Sequence, residues 1–523
     1  QTGTASITVT IPPVATVTVT PASASIMVGQ SVPLTATTKD ASGNVLTGRV
    51  ISWASSDPGT ASVGATGVVT GVAPGGPVTI TATSEGQSGT ASVTVAVTSP
   101  TGYVYPLRVG PTSRYLMDQT GKPFLMVGDA AWSLIAQLSD QDADTYFASR
   151  QQNGFDLSLI SLIEHKYATN APADIYNIKP FTGKNFTTPN EAYFAHVDYI
   201  IQSAAQKGIV VLLDPAYVGY GCGSEGWAVE LKAATDSDLA AWGRYVGQRY
   251  GGYDNIIWLI GADANPISCG VNTRLQAMVN GILQYDTRHP FTAHNQPESM
   301  AITNWSGATW LNVNDVYTYS TSLYSKDLTA YQVSPKMPYF LIETAYEGEH
   351  SSTAQSLRAQ YYWTVLSGGF GQVYGNCPMW YFSAPSGSGF CSVTPWQNQL
   401  NSPGALNMKY AQKLFGERNW WLLVPDQSHA VLTAGYSSGS SYATAALASD
   451  GSSIIAYLPS SRAVTINGRS LGSTMTAWWY KPSTGTSTLI GTYSTSATKS
   501  FTPPSSGDWV LVVDNPSFGF GAP

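Results

Sequence analysis

Hydrophobic and polar positions change their pattern twice along the 523-residue chain. In residues 1–98, and again in 425–515, apolar residues alternate with polar ones between Gly, Pro, Ser and Asp turns. That pattern is typical of β-sandwich strands. In residues 104–422, short apolar runs instead alternate with helical patterns, which indicates β/α units. The sequence therefore predicts a central α/β domain flanked by two β-sandwiches.

The central part contains eight short apolar runs, each followed by polar or helical sequence. Eight β/α units over about 300 residues indicate a (β/α)8 TIM barrel. A doubly wound sheet is the alternative, but no Gly-rich phosphate motif follows the first run. The predicted strands are 124–128, 157–162, 209–214, 256–261, 291–294, 313–317, 339–342 and 371–374, and the main predicted helices are 141–153, 192–207, 237–250, 274–285 and 353–367.

The N-terminal part carries a domain resemblance and a repeat. Residues 50–58, 67–71 and 78–84 resemble the bacterial immunoglobulin-like domain of group 2, which implies one such domain over 15–98. The segment 3–10 echoes 89–96, so residues 1–14 are predicted to be the remnant strand of a preceding copy. We expect a passive spacer. The alternative is an arm that tethers the protein to a cell surface or a polysaccharide.

Composition narrows the partners. Only 11% of the residues are charged, the net charge is −7, and tryptophan and tyrosine are abundant at 15 and 30 residues. Without a basic patch, nucleic acid is an unsuitable partner, whereas a neutral sugar fits aromatic and hydroxyl-rich loops. The sequence contains no run of about 18 apolar residues, so it does not predict insertion into a membrane. The chain has neither a CxxC motif nor His at metal spacing, so we expect no metal and no other cofactor.

The ends of two predicted barrel strands carry a pair of carboxyl groups. Catalytic residues of a TIM barrel lie at the carboxyl ends of its strands. Asp263 follows the fourth strand and Glu343 follows the seventh, across the barrel mouth. Retaining glycosidases need two carboxylates, one as acid/base and one as nucleophile. We predict Asp263 as acid/base, with a pKa raised by a dry site or by the charge of Glu343, and Glu343 as nucleophile. The alternative is that either residue caps a helix or pairs with an arginine.

Other polar and aromatic residues at strand ends are predicted to bind substrate. For several of them a structural role is the alternative: a helix cap for Asp129, core packing for Trp132 and an internal hydrogen bond for His294. Tyr317 could also donate a hydrogen bond to Glu343. The predicted substrate-binding residues are Asp129, Trp132, His165, Tyr217, His294, Asn295, Tyr317, Tyr319, Tyr374 and Asn376.

Three stretches of the central part, 122–134, 257–263 and 338–343, resemble the apiosidase-like glycoside hydrolases. In that family a small β domain with a collagen-binding label often follows the barrel, and 479–482 and 507–514 resemble it. The resemblance implies release of β-linked apiose from plant glycans or glycosides with retention. It also places the acid/base on Asp263 and the nucleophile on Glu343. Two residues depart from the family pattern: Ala130 replaces a Thr, and Ala262 stands where a second Gly is expected.

The four cysteines fall in predicted active-site loops. Cys222 and Cys269 follow the third and fourth strands, and Cys377 and Cys391 bracket the loop after the eighth. We predict the disulfides Cys222–Cys269 and Cys377–Cys391, with four buried thiols as the alternative. Disulfides imply an oxidising compartment, so we expect a bacterial protein that is secreted or held at the cell surface.

Together these features predict a secreted, retaining, exo-acting glycoside hydrolase that releases a terminal pentose, apiose in the first instance. A same-fold glycosidase for another pentoside or a disaccharide glycoside is one alternative. A non-catalytic carbohydrate-binding adhesin is the other.

Overall fold

The computed structural model describes residues 11–27, 29–72, 75–96, 102–382, 391 and 395–523. The chain forms two compact units, Gln1–Thr98 and Ser99–Pro523. The strand predicted for the first ten residues lies outside the described residues.

The first unit is all β, as predicted. A four-stranded sheet pairs Gln87–Ala96 antiparallel with Gly75–Ser84 and parallel with Ser23–Met27. Its core is built from alternating apolar residues such as Ile80 and Val93, which are fully buried. The remaining strands, in two three-stranded sheets and the edge of the first, are Thr16–Thr20, Ser31–Pro33, Thr35–Lys39, Val45–Leu46, Ser52–Ser55, Ala61–Val63 and Val68–Gly71.

The second unit opens with a small three-stranded sheet (Arg108–Val109, Leu116–Met117 and Pro123–Phe124) and continues into a parallel, nearly closed barrel. Every residue of the barrel strands is buried, because helices cover the outside and side chains fill the inside. The eight strands are mainly apolar in sequence, although some include buried polar residues such as Asn314 and Gln372. They are β1 (Met126–Ala130), β2 (Leu157–Ser161), β3 (Val210–Asp214), β4 (Ile256–Gly261), β5 (Phe291–His294), β6 (Asn314–Tyr317), β7 (Tyr339–Glu343) and β8 (Gly371–Tyr374).

The hydrogen-bonded order of the strands is β5-β4-β3-β2-β1-β8-β7-β6. β5 and β6 are not paired as a regular ladder, and a few hydrogen bonds join these two strands instead. The backbone N–H of Val313 donates to the carbonyl of Phe291 at 3.1 Å, and Ser299 pairs with Tyr317 in an isolated antiparallel bridge. The predicted TIM barrel is confirmed, with its eight strands in the expected sequence segments.

Ten α-helices are described in this unit. The five predicted ones lie within three residues of their expected ends. Ser139 caps the helix Asp140–Gln152 by accepting the N–H of Asp142. Gly243 allows the helices Asp236–Tyr250 and Asn272–Ile282 to approach each other, because a Cβ there would lie 2.0 Å from the carbonyl oxygen of Met278. No described helix is long and apolar enough to cross a membrane. The helices are α1 (Leu134–Gln137), α2 (Asp140–Gln152), α3 (Glu191–Gln206), α4 (Ala228–Ala233), α5 (Asp236–Tyr250), α6 (Asn272–Ile282), α7 (Ala301–Trp305), α8 (Leu323–Tyr331), α9 (Ala354–Leu366) and α10 (Pro403–Gly416).

The C-terminal β domain consists of two sheets that enclose a core. Neighbouring residues of Thr474–Lys481 point to opposite faces, so Trp479 packs inside this domain while Trp478 packs toward the barrel. The six-stranded sheet runs Leu423–Pro425, Thr444–Ala448, Ser453–Leu458, Trp509–Asp514, Thr474–Lys481 and Thr486–Ser494, and the three-stranded sheet runs Leu432–Ala434, Val464–Ile466 and Lys499–Phe501.

The barrel and the C-terminal β domain share one hydrophobic core along α9 and α10. Tyr362 of α9 stacks on Tyr457 with ring centroids 4.8 Å apart, and both rings are buried. Arg358 of α9 makes two hydrogen bonds to Asp508, at 2.8 and 2.9 Å. These buried contacts hold the β domain at the side of the barrel that carries β7 and β8.

Candidate active site

Two carboxyl groups lie at the carboxyl ends of β4 and β7. Glu343 is the last residue of β7, and Asp263 follows the last residue of β4 by two positions. One oxygen from each carboxyl group and one ring nitrogen of His294 all lie within 4.8 Å of one another. The topology therefore brings together the two residues that the sequence singled out.

His294, at the end of β5, connects the pair. Its Nδ1 accepts the backbone N–H of Asp263 at 2.9 Å, and its Nε2 lies 2.9 Å from Oε2 of Glu343. Burial lowers the pKa of His294 to about 4, so the ring is neutral near pH 7. Because Nδ1 is an acceptor, the single ring proton resides on Nε2 and is donated to Glu343. One side chain thus anchors the loop of Asp263 and donates a hydrogen bond to the carboxylate of Glu343.

The loop that carries Asp263 has an uncommon backbone. Ala262 and Asp263 have φ values of 85° and 58°, in the left-handed region that disfavours residues with a Cβ. Such a conformation persists when surrounding contacts fix it. Here the N–H of Ala262 donates to the carbonyl of His294 at 2.7 Å, in addition to the Asp263–His294 bond. Glycine adopts this backbone conformation without strain, which explains why the family pattern has a Gly at position 262.

Aromatic side chains surround the pair. The hydroxyl of Tyr217 donates to Oδ2 of Asp263 at 2.9 Å. Trp132 Nε1–H donates to the hydroxyl of Tyr346 at 3.2 Å, and its ring meets His294 edge to face. On the other side Tyr317 and Tyr319 place their hydroxyl groups 3.2 Å apart. The pair therefore lies in a largely apolar pocket with hydroxyl groups directed at it.

Burial raises the pKa of both carboxyl groups. It raises the pKa of Asp263 to about 6, and the charge of Glu343 adds to this effect. It raises the pKa of Glu343 to about 8, the charge of Glu349 adds to it, and hydroxyl groups of Tyr346, Tyr319 and Tyr317 oppose it. Because the two groups titrate as a coupled pair, these pKa values mean that they hold one proton between them near pH 7.

The order of these two pKa values favours Glu343 as the protonated member, whereas the hydrogen bonds favour Asp263. Glu343 receives the His294 proton on Oε2 and faces tyrosine hydroxyl groups. Oδ1 of Asp263, in contrast, is buried and has no partner within the described structure. Donors stabilise the charged form of a carboxyl group. Oδ2 of Asp263 accepts the Tyr217 hydroxyl, so a proton on this carboxyl group would meet no competing donor on Oδ1.

The same three residues are also a group whose atoms could surround a metal ion. However, the proton on Nε2 of His294 points at Glu343, so the imidazole lone pair on Nδ1 is directed away from it, at the Asp263 amide. A second such group, Glu349 with Cys377 and Cys391, contains two sulfurs that are already bonded to each other. The donor sets fit hydrogen bonding and a disulfide better than metal ligation.

The pair opens into a cleft of about 1340 Å³. Of the predicted substrate-binding residues, Trp132, Tyr217, Tyr317 and Tyr319 line it. His294 lies behind Glu343 and is fully buried. The cleft is therefore aromatic close to the carboxyl pair.

Three predicted residues have structural contacts instead of lining the cleft. Asp129 is fully buried in an ion pair with Arg150, so it neither caps a helix nor faces substrate. His165 lies 3.4 Å from Glu230, and Asn295 donates to the carbonyl of Met300 at 2.7 Å.

Tyr374 and Asn376, at the end of β8, are also buried outside the lining. Both donate to Oε2 of Glu347, which also accepts the Ser402 hydroxyl at 2.6 Å. This polar cluster ties the loops after β7 and β8 to the start of α10. Its role is to fix loop positions.

Several lining residues were not selected from the sequence. Among these are Tyr346, Trp380 and Glu164. Tyr167 also lines the cleft, and its ring meets that of Trp380 edge to face at 4.8 Å. Glu164 accepts the N–H groups of residues 165–167 on one oxygen and so shapes the loop that presents Tyr167. Their positions at strand ends were a signal, but the side-chain directions depend on these loops.

Both predicted disulfides are present. Cys222–Cys269 joins the loops after β3 and β4, and Cys377–Cys391 closes the loop after β8, with sequence separations of 47 and 14. The first bridge stiffens the loop that follows Asp263.

Comparison with known proteins agrees with this architecture. The model of the family "Apiosidase-like, catalytic domain" matches residues 111–422, more than half of the chain. Residues 424–514 match "Putative collagen-binding domain of a collagenase", and residues 13–95 match "Bacterial Ig-like domain (group 2)". No curated protein matches the chain.

Two solved structures share the fold of this chain. A glycoside hydrolase superposes with a TM-score of 0.70 at 23% identity, covering 79% of this chain and 99% of its own. A family 5 glycoside hydrolase from Bacteroides vulgatus superposes with a TM-score of 0.70 at 24% identity, covering 79% and 94%. The fold and the carboxyl pair are those of an O-glycosyl hydrolase. Within that class, the chain belongs to the apiosidase-like family.

Proposed function

We propose that this enzyme is a retaining, exo-acting glycosidase that releases a terminal pentose, apiose in the first instance, from plant glycans or glycosides. One observation carries the proposal of retention. One oxygen of Asp263 lies within 4.8 Å of one oxygen of Glu343. Paired carboxyl groups are about 5–5.5 Å apart in retaining glycosidases and about 6.5–9.5 Å apart in inverting ones, which need room for a water. The shorter spacing supports double displacement.

In the proposed first step, a carboxylate oxygen of Glu343 attacks the anomeric carbon and forms a glycosyl ester. The bond to the leaving oxygen breaks, and the proton on Oδ1 of Asp263 passes to that oxygen. In the second step Asp263, now ionised, takes a proton from water. That water attacks the anomeric carbon and releases Glu343. His294 acts through Glu343 and is a positioning residue.

The choice of apiose comes from family membership. The two departures from the family pattern do not alter the wall of the cleft, because Ala130 and Ala262 are fully buried and neither lines it. This supports the proposal that the chain shares the sugar specificity of the family as well as its mechanism. Two disulfides support secretion, since they persist in oxidising compartments.

Hydrolysis of a panel of aryl glycosides that includes an aryl β-apioside tests the proposal. We expect apiose release by the wild type, loss of at least about 1000-fold in Glu343→Gln, and wild-type rates in Glu417→Gln, a control at an exposed position. The anomer formed first, followed by NMR, reports retention. Release of another sugar would support the mechanism and reject apiose. Sugar binding without hydrolysis would favour an adhesin.

A mechanism-based 2-fluoro glycoside tests the nucleophile directly. It should label Glu343, and peptide mass spectrometry locates the label. Asp263→Asn should keep activity on a substrate with an activated leaving group and be accelerated by azide, because such a leaving group needs no acid. A label on another residue would reject the assignment.

A further inference from the structure

The cleft does not end at the barrel. Ser440, Ser441, Pro459 and Ser460 of the C-terminal β domain line the same cleft as Asp263 and Glu343. Its volume of about 1340 Å³ exceeds the roughly 300–1000 Å³ of pockets that enclose a small ligand. A terminal pentose fills only the part next to the carboxyl pair. We call residues 440–441 and 459–460 the outer wall.

One arginine fixes the shape of the outer wall. Arg462 donates to the carbonyl of Ser441, to the hydroxyl of Ser460 at 2.7 Å, and to the carbonyls of Gly435, Tyr436 and Ser460. These five hydrogen bonds equal the five N–H donors of a guanidinium group. Arg462 therefore holds both loops of the outer wall and has no donor left over for a ligand.

The outer wall is also fixed to the barrel. Trp363 of α9 lines the cleft and donates its Nε1–H to the carbonyl of Tyr442 at 3.0 Å. Tyr324 of α8 stacks on Tyr442 with ring centroids 3.9 Å apart. The amide of Gln355 donates to the carbonyl of Pro459. The outer wall is thus preformed, which reduces the entropy cost of binding there.

The chemistry of the cleft favours an uncharged ligand. Five carboxyl groups line it, those of Glu164, Glu225, Asp263, Glu343 and Glu349, and no Lys or Arg does so among the described residues. Residues outside the described ranges include no Lys or Arg either. Hydroxyl groups, including those of Ser440 and Ser460, are the main polar groups on the outer side. The carboxylates of the cleft would repel a uronate, whereas a neutral sugar would find hydroxyl partners.

We infer that the outer wall is an aglycone subsite, in which the C-terminal β domain binds the uncharged sugar chain from which the terminal residue is removed. This inference rests on the proposed glycosidase function. It gives the β domain a direct part in substrate selection.

The test compares three substrates: an aryl β-apioside, a neutral oligosaccharide ending in β-apiose, and an oligogalacturonide ending in β-apiose. We expect wild type to prefer the neutral chain to the acidic one. Ser440→Trp should lower kcat/KM about tenfold on the neutral chain and leave it within about twofold on the aryl apioside, because only the chain reaches the outer wall. Ser494→Trp, exposed on the same domain but outside the cleft lining, should change neither.

Ser440→Arg provides a second variant that adds charge without the bulk of an indole. This variant should raise kcat/KM on the acidic oligosaccharide relative to kcat/KM on the neutral one. If both Ser440 variants hydrolyse each oligosaccharide at the wild-type rate, the subsite is refuted. The proposed glycosidase function would still stand in that case. If the panel shows a terminal sugar other than apiose, oligosaccharides ending in that sugar replace the apiosides. If wild type hydrolyses nothing, the proposed function fails and the subsite with it.

Discussion

His294 offers the sharpest perturbation of the site, because its two ring nitrogens have separable tasks. Nδ1 accepts the amide of Asp263, and Nε2–H donates to Glu343, both at 2.9 Å. An asparagine places its carbonyl oxygen near the position of Nδ1, and a glutamine places its amide nitrogen near Nε2. His294→Asn therefore keeps the acceptor for the amide of Asp263, and His294→Gln keeps the donor to Glu343.

The magnitudes follow from what each variant loses. A hydrogen bond to a charged group contributes about 1.5–3 kcal/mol, so His294→Asn should lower kcat/KM roughly 10- to 150-fold. His294→Gln leaves the buried N–H of Asp263 without its acceptor, in a loop that already has two positive φ values. An unsatisfied buried donor costs about 1–3 kcal/mol, which should appear as a lower free energy of unfolding.

The assay is kcat/KM against pH for a cleaved aryl glycoside, combined with denaturant unfolding of each variant. Losing the Nε2–H donor removes stabilisation of the charged form, so the pKa of Glu343 should rise and the acid limb of the profile should move to higher pH in His294→Asn. An Asn variant as active as wild type would refute the donation to Glu343. A Gln variant as stable as wild type would refute the claim that His294 anchors the loop of Asp263.

Three further predictions follow from the same structure. Because the pKa values of the pair are raised to about 6 and about 8, kcat/KM should be bell-shaped with its maximum between those values, and a monotonic profile would contradict a shared proton. Ionising the Asp263–Glu343 pair costs folding free energy as the pH rises from the ordinary pKa values of 3.8 and 4.5 toward about 6 and about 8, so Glu343→Gln, which leaves one ionisable group, should raise Tm more at alkaline than at acidic pH, whereas Glu417→Gln should not. Replacing both Cys222 and Cys269 by serine should lower the free energy of unfolding by up to about 4 kcal/mol for a 47-residue separation and reduce activity through the Asp263 loop, and unchanged thermal unfolding would contradict this.

Much of the fold was predictable because buried parallel strands have a strong sequence signature. β4, β5 and β8 match their predicted ranges at both ends. β4 is a continuous apolar run because it is buried on both faces, whereas β5 and β8 are short runs that also contain the buried polar residues Thr292 and Gln372. Short helices such as α4 and α7 were not predicted, because one or two turns leave too little periodicity.

The carboxyl pair was predictable for a topological reason, since the carboxyl ends of barrel strands meet at one mouth. The direction of each surrounding side chain was not. Tyr374 and Tyr317 both end barrel strands, but one bonds to Glu347 beneath the loops and the other lines the cleft. That difference is set by loop contacts between residues far apart in sequence, which no local pattern contains.

The shared core between the barrel and the C-terminal β domain has a consequence for how such chains can be recombined. Removing the β domain would expose Tyr362 and other α9 side chains and leave the charge of Arg358 without Asp508. Moving a large apolar side chain from a core into water costs about 1.5–3 kcal/mol, so a few such exposures remove a large part of the stability of most domains. We therefore expect a barrel cut off from its C-terminal β domain to misfold, so that these two parts can be exchanged between proteins only as one piece. The Ig-like domain lies in the other compact unit, and this restriction does not apply to it.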